Sequence, residues 1–113
     1  MGTPVPYFLS MQRWLAVMRL VGREKLVRFC AAHGEARKWI ANWLSEAEAA
    51  AWASPQAIKI RYPSASFLAG NTVIFNVKGN AFRLEVVVAY RTGVVQVVWA
   101  GTHAQYDRRH SKR

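Results

Sequence analysis

The chain has 113 residues and a formal net charge of +10, from 16 Lys and Arg against 6 Asp and Glu, and this length fits one small domain. Its hydrophobic share of 52% and its five Trp exclude a disordered chain. The single cysteine, Cys30, excludes an internal disulfide and a cysteine-based zinc cluster, and no apolar run is long enough to span a membrane. We therefore expect a cytoplasmic protein.

The first 17 residues do not have the order of a secretory signal, in which basic residues precede an unbroken apolar stretch. We interpret residues 1–17 as an N-terminal extension and residues 18–113 as the domain. A short strand over residues 18–21 opens this domain, and we expect it at an edge of the sheet.

Apolar residues with helical spacing follow this strand. Leu26, Phe29 and Cys30 recur at intervals of three and four before Gly34 ends the segment, and the same spacing continues through residues 36–51. Two helices joined at one glycine predict an antiparallel helical hairpin, whose aromatic residues fill the core rather than a ligand site.

Ser54, followed by a proline, predicts the N-cap of a short third helix over residues 56–60. From Thr72 the apolar residues alternate with polar ones, and turns at residues 79–80 and 92–93 divide this region into three antiparallel strands. If both turns hold two residues, the opposed pairs are Phe75 with Leu84, Asn76 with Arg83, Val86 with Trp99 and Arg83 with Thr102. The pattern predicts an α+β fold of order β-α-α-β-β-β, with a helical hairpin covering one face of an antiparallel sheet.

The two faces of this sheet differ in polarity. One face is apolar throughout, and it forms the core beneath the helices: Phe75, Val77, Phe82, Leu84, Val86, Val88, Val95, Val97 and Trp99. The other face is polar, with His103 directly after its last strand: Asn76, Lys78, Arg83, Glu85, Gln96 and Thr102. Because no predicted helix remains to cover the polar face, we expect an open surface with a site on it.

Charge is concentrated in the second half of the chain. Residues 59–113 carry nine basic and two acidic side chains, against seven and four in residues 1–58. An excess of Lys and Arg favours a nucleic-acid partner, because phosphate contacts release counterions. The alternative is a basic surface that only confers solubility.

The polar face lacks the groups of metal-dependent nucleases. The sequence has no phosphate-binding glycine loop, no paired histidines at metal-ligand spacing and no carboxylate cluster, so we expect no metal and no cofactor. Metal-free RNA cleavage needs proton-transfer groups and a cation for the phosphate, because the ribose 2′-hydroxyl is an internal nucleophile. The remaining polar residues supply such groups: Arg83, His103, Tyr106 and Asp107, with Lys59, Arg61 and Lys78 beside them.

Each of these residues has a structural alternative. His103 is equally well explained as a loop histidine held by hydrogen bonds, and Arg83 as an ion-pair partner of Glu85 or Asp107. Tyr106 either stacks on a base, donates a proton or merely fills space.

Three segments carry a family resemblance. The segments Tyr62–Ser66, Phe75–Leu84 and Gly101–Asp107, with their order and spacing, resemble the HigB branch of the RelE-like bacterial toxins over about residues 18–107. The resemblance implies a ribosome-dependent mRNA endonuclease that inhibits translation, and it implies the same β-α-α-β-β-β order. It also implies two partners, mRNA on the ribosome and a neutralising HigA-type antitoxin with a helix-turn-helix domain.

The family's functional positions carry over residue by residue. The resemblance places His103, Tyr106 and Asp107 in the closing family motif and Arg83 in the Gly-Asn-x-x-Arg motif. We assign catalysis to these four residues, although related toxins distribute the acid and base roles differently. We assign RNA binding to five further residues, of which Lys59 and Asn80 lie in family motifs: Lys59, Arg61, Asn76, Lys78 and Asn80. Two positions depart from the family pattern, since Gln105 replaces a frequent Glu and Val98 replaces a frequent Lys or Arg. The alternative function is a non-catalytic RNA-binding or ribosome-binding module, a decayed toxin, and a third is a structural partner whose basic surface binds only an acidic antitoxin.

Overall fold

The computed structural model describes residues 18–111. The proposed extension over residues 1–17 lies outside the described residues. Four α-helices and five strands form the described part, in this order: β1 (Arg19–Val21), α1 (Arg23–Ala32), a 3-10 turn (Gly34–Ala36), α2 (Arg37–Ala49), α3 (Pro55–Arg61), β2 (Ser66–Leu68), β3 (Thr72–Val77), β4 (Phe82–Ala89), β5 (Val94–Thr102) and α4 (His103–Ser111). None of these helices is long and apolar enough to cross a membrane.

The five strands form one sheet in the order β1-β5-β4-β3-β2. All neighbours pair antiparallel except β1, which pairs parallel with β5 at the sheet edge. The predicted α+β class and the edge position of the first strand are therefore confirmed. Two elements were not predicted, the short strand β2 and the C-terminal helix α4.

Helices α1 and α2 pack on the apolar face of the sheet, as their spacing predicts. Their buried side chains include Leu26, Phe29, Ile40 and Trp43, and these join the valines and phenylalanines of β3, β4 and β5 in one core. Trp43 meets Phe75 edge to face, with ring centroids 5.4 Å apart. Full burial of each such side chain stabilises the fold by about 1.5–3 kcal/mol relative to exposure.

The third helix begins at the predicted cap. The Ser54 hydroxyl accepts a hydrogen bond from the backbone N–H of Ala57 at 3.4 Å, and Pro55 occupies the first turn. Tyr62 ends this helix, and the chain then enters β2. The strand β2 has only three residues, too few for its alternation to stand out in the sequence.

The predicted pairing is confirmed between β3 and β4 and wrong between β4 and β5. Phe75 lies opposite Leu84 and Asn76 opposite Arg83, as expected. The second turn, however, holds four residues, because Ala89 pairs with Val94 and the N–H of Gly93 donates to the Ala89 carbonyl at 2.8 Å. Gly93 has φ 75°, a left-handed conformation that glycine adopts without steric cost.

A β-bulge shifts the same pair of strands once more. Val86 lies opposite Val97, whereas Glu85 lies opposite Trp99, so Val98 is an extra residue in β5. Two predicted pairs are therefore wrong: Val86 does not face Trp99, and Arg83 faces Gly101 rather than Thr102. Because side chains alternate along a strand, the extra residue turns Trp99 away from the core face where it was predicted.

The polar face is not open along its whole length, contrary to expectation. Helix α4 packs against β4 and β5 on the side of Glu85 and Trp99. The helix begins with a reciprocal cap: the Gln105 N–H donates to the Thr102 hydroxyl at 3.1 Å, and the Thr102 N–H donates to the Gln105 side chain at 2.9 Å. The prediction overlooked this cap because α4 buries none of its residues and lacks an apolar stripe.

Candidate active site

Arg83 is fixed at the start of β4 by the turn that precedes it. Its guanidinium donates to the Asn80 side-chain oxygen at 2.8 Å and to the Phe82 carbonyl at 3.1 Å. The same group lies 6.0 Å from the centroid of the Tyr106 ring. No described ion pair joins Arg83 to Glu85 or Asp107, the partners expected if its role were structural. Its remaining N–H groups are available for a phosphate.

His103 and Asp107 lie one helical turn apart at the start of α4. The His103 Nε2 and the Asp107 Oδ2 are 3.5 Å apart, and the two side chains are 43% and 64% exposed. The His103 backbone N–H donates to the Ala81 carbonyl at 3.0 Å, which ties the start of α4 to the turn before β4. The structure thus brings the four predicted catalytic residues to one end of the β4–β5 ribbon.

Tyr106 lies between this site and the rest of α4. Its ring centroid is 4.3 Å from that of His110 and 6.2 Å from that of Trp99. Partial burial, followed by the nearby charge of Glu85, raises the pKa of Tyr106, while Arg83 opposes the shift. The phenol therefore keeps its proton at neutral pH and is a hydrogen-bond donor.

A buried carboxylate anchors α4 to the sheet. Glu85 is 8% exposed, and its Oε1 lies 3.1 Å from Arg109 Nε and 3.4 Å from His110 Nε2. The Arg109 guanidinium also lies over the Trp99 ring, 5.2 Å from its centroid. We did not predict this anchor, because it depends on a helix without an apolar stripe. The signal in the sequence is a basic pair, Arg109 and His110, following the tyrosine of the closing motif.

The predicted RNA-binding residues fall into two groups. Asn76, Lys78 and Asn80 lie beside Arg83: Asn76 is opposite it in the sheet, and Asn80 accepts its hydrogen bond. Lys78 is exposed in the turn between β3 and β4 with φ 51°, a left-handed conformation. These three residues thus lie next to the predicted catalytic residue Arg83.

Lys59 and Arg61 form the second group, and their contacts lie elsewhere. Lys59 donates to the Ala65 carbonyl at 2.9 Å and lies 5.8 Å from the Phe67 ring centroid. Arg61 pairs with Glu46 of α2. The cationic groups of Lys59 and Arg61 thus already have partners within the protein.

Glu46 also accepts a hydrogen bond from the hydroxyl of Tyr62. That bond, with a further one from Arg61, lowers the pKa of Glu46 despite some desolvation. Burial and the Glu46 carboxylate raise the pKa of Tyr62 well above its ordinary value. The predictions contained no role for Glu46, since it was counted only as part of the solvated side of α2.

Basic residues of α1 flank the site from the other side. Lys25 and Arg28 of α1, with His33 directly after the helix, line a hollow that extends to Val98 and Gln105. Charge counting had placed the nucleic-acid surface in the second half of the chain, so these residues were missed. The hollow shows that Val98, which lacks the positive charge frequent in the family, has cationic neighbours from α1.

A comparison with known families gives a match over most of the domain. A family model described as HigB_toxin, the RelE-like toxic component of a toxin-antitoxin system, matches residues 36–109. The match runs from α2 into α4 and includes all nine predicted site residues. No curated protein matches the chain. Within residues 18–111, no three His, Cys, Asp or Glu side chains come together in a way that could hold a metal ion.

Proposed function

Because this chain belongs to the HigB_toxin family, the RelE-like toxic components of toxin-antitoxin systems, we propose that it cuts mRNA on the ribosome as a metal-independent endoribonuclease. Family membership confirms the resemblance seen in the motifs, so the chain is a toxin with an antitoxin partner. The observation that carries the proposed chemistry is the gathering of Arg83, His103, Tyr106 and Asp107 at one end of the β4–β5 ribbon. The proposed reaction takes place in the cytoplasm, where the ribosomes are.

The proposed reaction is an internal transfer at one phosphate. The ribose 2′-oxygen attacks phosphorus and loses its proton to His103, while the bond to the 5′-oxygen breaks and that oxygen takes a proton from Tyr106. The Asp107 carboxylate, whose Oδ2 lies 3.5 Å from His103 Nε2, stabilises the imidazolium that forms when His103 takes this proton. Arg83 stabilises the charge that develops on the pentavalent phosphorus.

The RNA backbone is held around Arg83 in this proposal. Lys78 is exposed at the turn, and Asn76 and Asn80 flank Arg83, so these three side chains contact the nucleotides next to the cleaved bond. Lys59 and Arg61 contribute only more distant contacts, because they already bind the Ala65 carbonyl and Glu46.

The antitoxin that we propose is a HigA-type protein with a helix-turn-helix domain. The basic surface of the toxin favours an acidic contact region on this partner. A neighbouring reading frame that encodes such a protein would support the assignment.

The test is cleavage of mRNA in a translating extract, with product ends mapped by primer extension, together with growth arrest on expression. We expect Arg83→Ala and His103→Ala each to lower the cleavage rate by about 100-fold or more, since each removes a group that acts in the transition state. Arg91→Ala is the matched control, because Arg91 is an exposed arginine in the turn at the other end of the ribbon.

Two results would count against the proposal. Full toxicity of both the Arg83 and the His103 variants would refute the assignment of these residues. Salt-sensitive binding to ribosomes without any new RNA ends would instead favour the non-catalytic RNA-binding module.

A further inference from the structure

A second cavity lies on the opposite side of the β3–β4 turn from α4. It has a volume of about 430 Å³, within the range of roughly 300–1,000 Å³ that is usual for small-molecule sites. Helix α2, the end of α3 and the exposed edge of β3 enclose it. Its lining residues include Trp39, Asn42, Trp43, Glu46, Asn76 and Gly79, and the Glu46 partners Arg61 and Tyr62 line it as well.

The edge of β3 is open where the cavity lies. The strand β2 pairs with β3 only from Thr72 to Ile74, so among the described residues no strand borders β3 from Phe75 to Val77 on this side. The cavity is therefore bounded by backbone on one side and by side chains of α2 on the other. An open strand edge leaves backbone donors and acceptors free for a ligand.

The wall of the cavity carries a polar side chain that a ligand can reach. Asn42 of α2 is exposed, lines the cavity and offers a planar donor and acceptor pair. Trp43, the next residue, also lines the cavity, but it is only 1% exposed and its indole N–H has no free surface for a ligand.

The cavity also has an aromatic surface. Trp39 is half-buried and lines it, with its ring centroid 6.2 Å from that of Tyr62. The Arg61 guanidinium lies over Tyr62 at 5.0 Å, so Trp39 is the ring left for stacking. Aromatic stacking combined with planar hydrogen-bonding groups is the chemistry that recognises unpaired nucleobases.

We propose that this cavity binds a nucleobase of the RNA, stacked on Trp39 and hydrogen-bonded to the Asn42 amide. This assignment rests on the proposed function, because the turn between β3 and β4 is what connects the cavity with the proposed cleavage site at Arg83. Gly79 lines the cavity, and its neighbour Asn80 accepts a hydrogen bond from Arg83. An RNA strand with its scissile phosphate at Arg83 reaches the cavity by crossing this turn.

The test is a titration of the full ¹⁵N-labelled chain with each ribonucleoside 5′-monophosphate, and with ribose 5-phosphate as the base-free probe. The indole signals of Trp39 and Trp43 report on the cavity, and that of Trp99 reports on the Arg83 site. We expect at least one nucleotide to shift the Trp39 and Trp43 signals saturably, whereas ribose 5-phosphate leaves them unchanged. Asn42→Ala then weakens this binding roughly fivefold, as expected for the loss of one hydrogen bond.

Gln56→Ala is the matched control, since Gln56 is an exposed amide on α3 that does not line the cavity. The proposal is overturned if no nucleotide shifts the two cavity indoles, if ribose 5-phosphate shifts them equally, or if only Trp99 responds. Shifts caused by an antitoxin and by no nucleotide would also overturn it, in favour of a protein contact. Nucleotide shifts in a chain that cuts no RNA would support the cavity assignment and refute the proposed cleavage.

Discussion

Glu85 is the residue whose position differs most from expectation. The alternation of β4 correctly assigned it to the polar face, yet it is 8% exposed beneath α4. A buried carboxylate is stable only when paired, and Arg109 and His110 provide that pairing from the last turns of the helix. Through them Glu85 sets the position of the helix that carries Tyr106.

Glu85→Gln tests this anchor while preserving the shape of the side chain. We expect the free energy of unfolding to fall by about 1–2 kcal/mol, because the amide carries no charge for the partly solvated Arg109. Urea denaturation measures the loss. The control is Glu35→Gln, an exposed carboxylate in the 3-10 turn, for which we expect no measurable change. Equal effects of the two substitutions would contradict the anchoring role.

The elements differ in how well their patterns predict them. The helical hairpin could be predicted because the apolar residues at helical spacing are the ones buried against the sheet. The β3–β4 register could be predicted because the turn between these strands was placed correctly. The bulge at Val98 has no apolar signature, and it cannot be separated from plain alternation in a run of valines. Helix α4 lacks an apolar stripe, but the spacing of Thr102 and Gln105 is that of a capping box and could have been recognised in the sequence.

The site residues likewise differ in how far the sequence could predict them. His103, Tyr106 and Asp107 were predicted from their motif, and the structure places them near Arg83 although the motif itself gives no geometry. Contacts between distant segments, such as that of Lys59 with the Ala65 carbonyl, depend on how α3 packs. They cannot be derived from residue types and spacing alone.

The contact between α2 and α3 predicts a dependence of stability on high pH. The folded chain holds the Tyr62 proton more tightly than the unfolded chain, whose phenol ionises near pH 10, so this contribution is complete below pH 10 and is lost as pH rises further. We expect Tyr62→Phe to flatten the decline in unfolding free energy between about pH 10 and pH 12, measured by urea denaturation. Tyr90→Phe should flatten it less, because burial alone raises the pKa of Tyr90. An unchanged slope in the Tyr62 variant would contradict the assignment.

At the scale of the whole molecule, positive charge surrounds the β3–β4 turn and the start of α4. Lys78 lies on that turn, while Lys25 and Arg28 of α1 line the hollow beside Gln105. A strand of RNA that crosses the site therefore meets cations on both sides. Affinity for such a strand depends on salt, with a slope near −0.7 for each phosphate contacted.

A 2′-deoxy oligonucleotide, which lacks the attacking hydroxyl, isolates this binding from cleavage. We expect Lys78→Ala to reduce the slope of log affinity against log salt by about 0.7, the value for one lost phosphate contact. Lys38→Ala is the control, because Lys38 is an exposed lysine on α2. Fluorescence anisotropy at several salt concentrations measures both. Identical slopes for the two variants would remove Lys78 from the proposed interface.

The extra residue in β5 has a consequence for how such a site tolerates insertions and deletions. The extra residue Val98 reverses the alternation of β5 side chains between the two faces of the sheet. Trp99 therefore lies on the face away from the core, which is the face on which α4 packs. Loss of a single residue at this point would restore the order and direct the C-terminal segment toward the other side of the sheet. The location of His103 and Tyr106 thus depends on whether the number of residues between Val97 and Thr102 is even or odd.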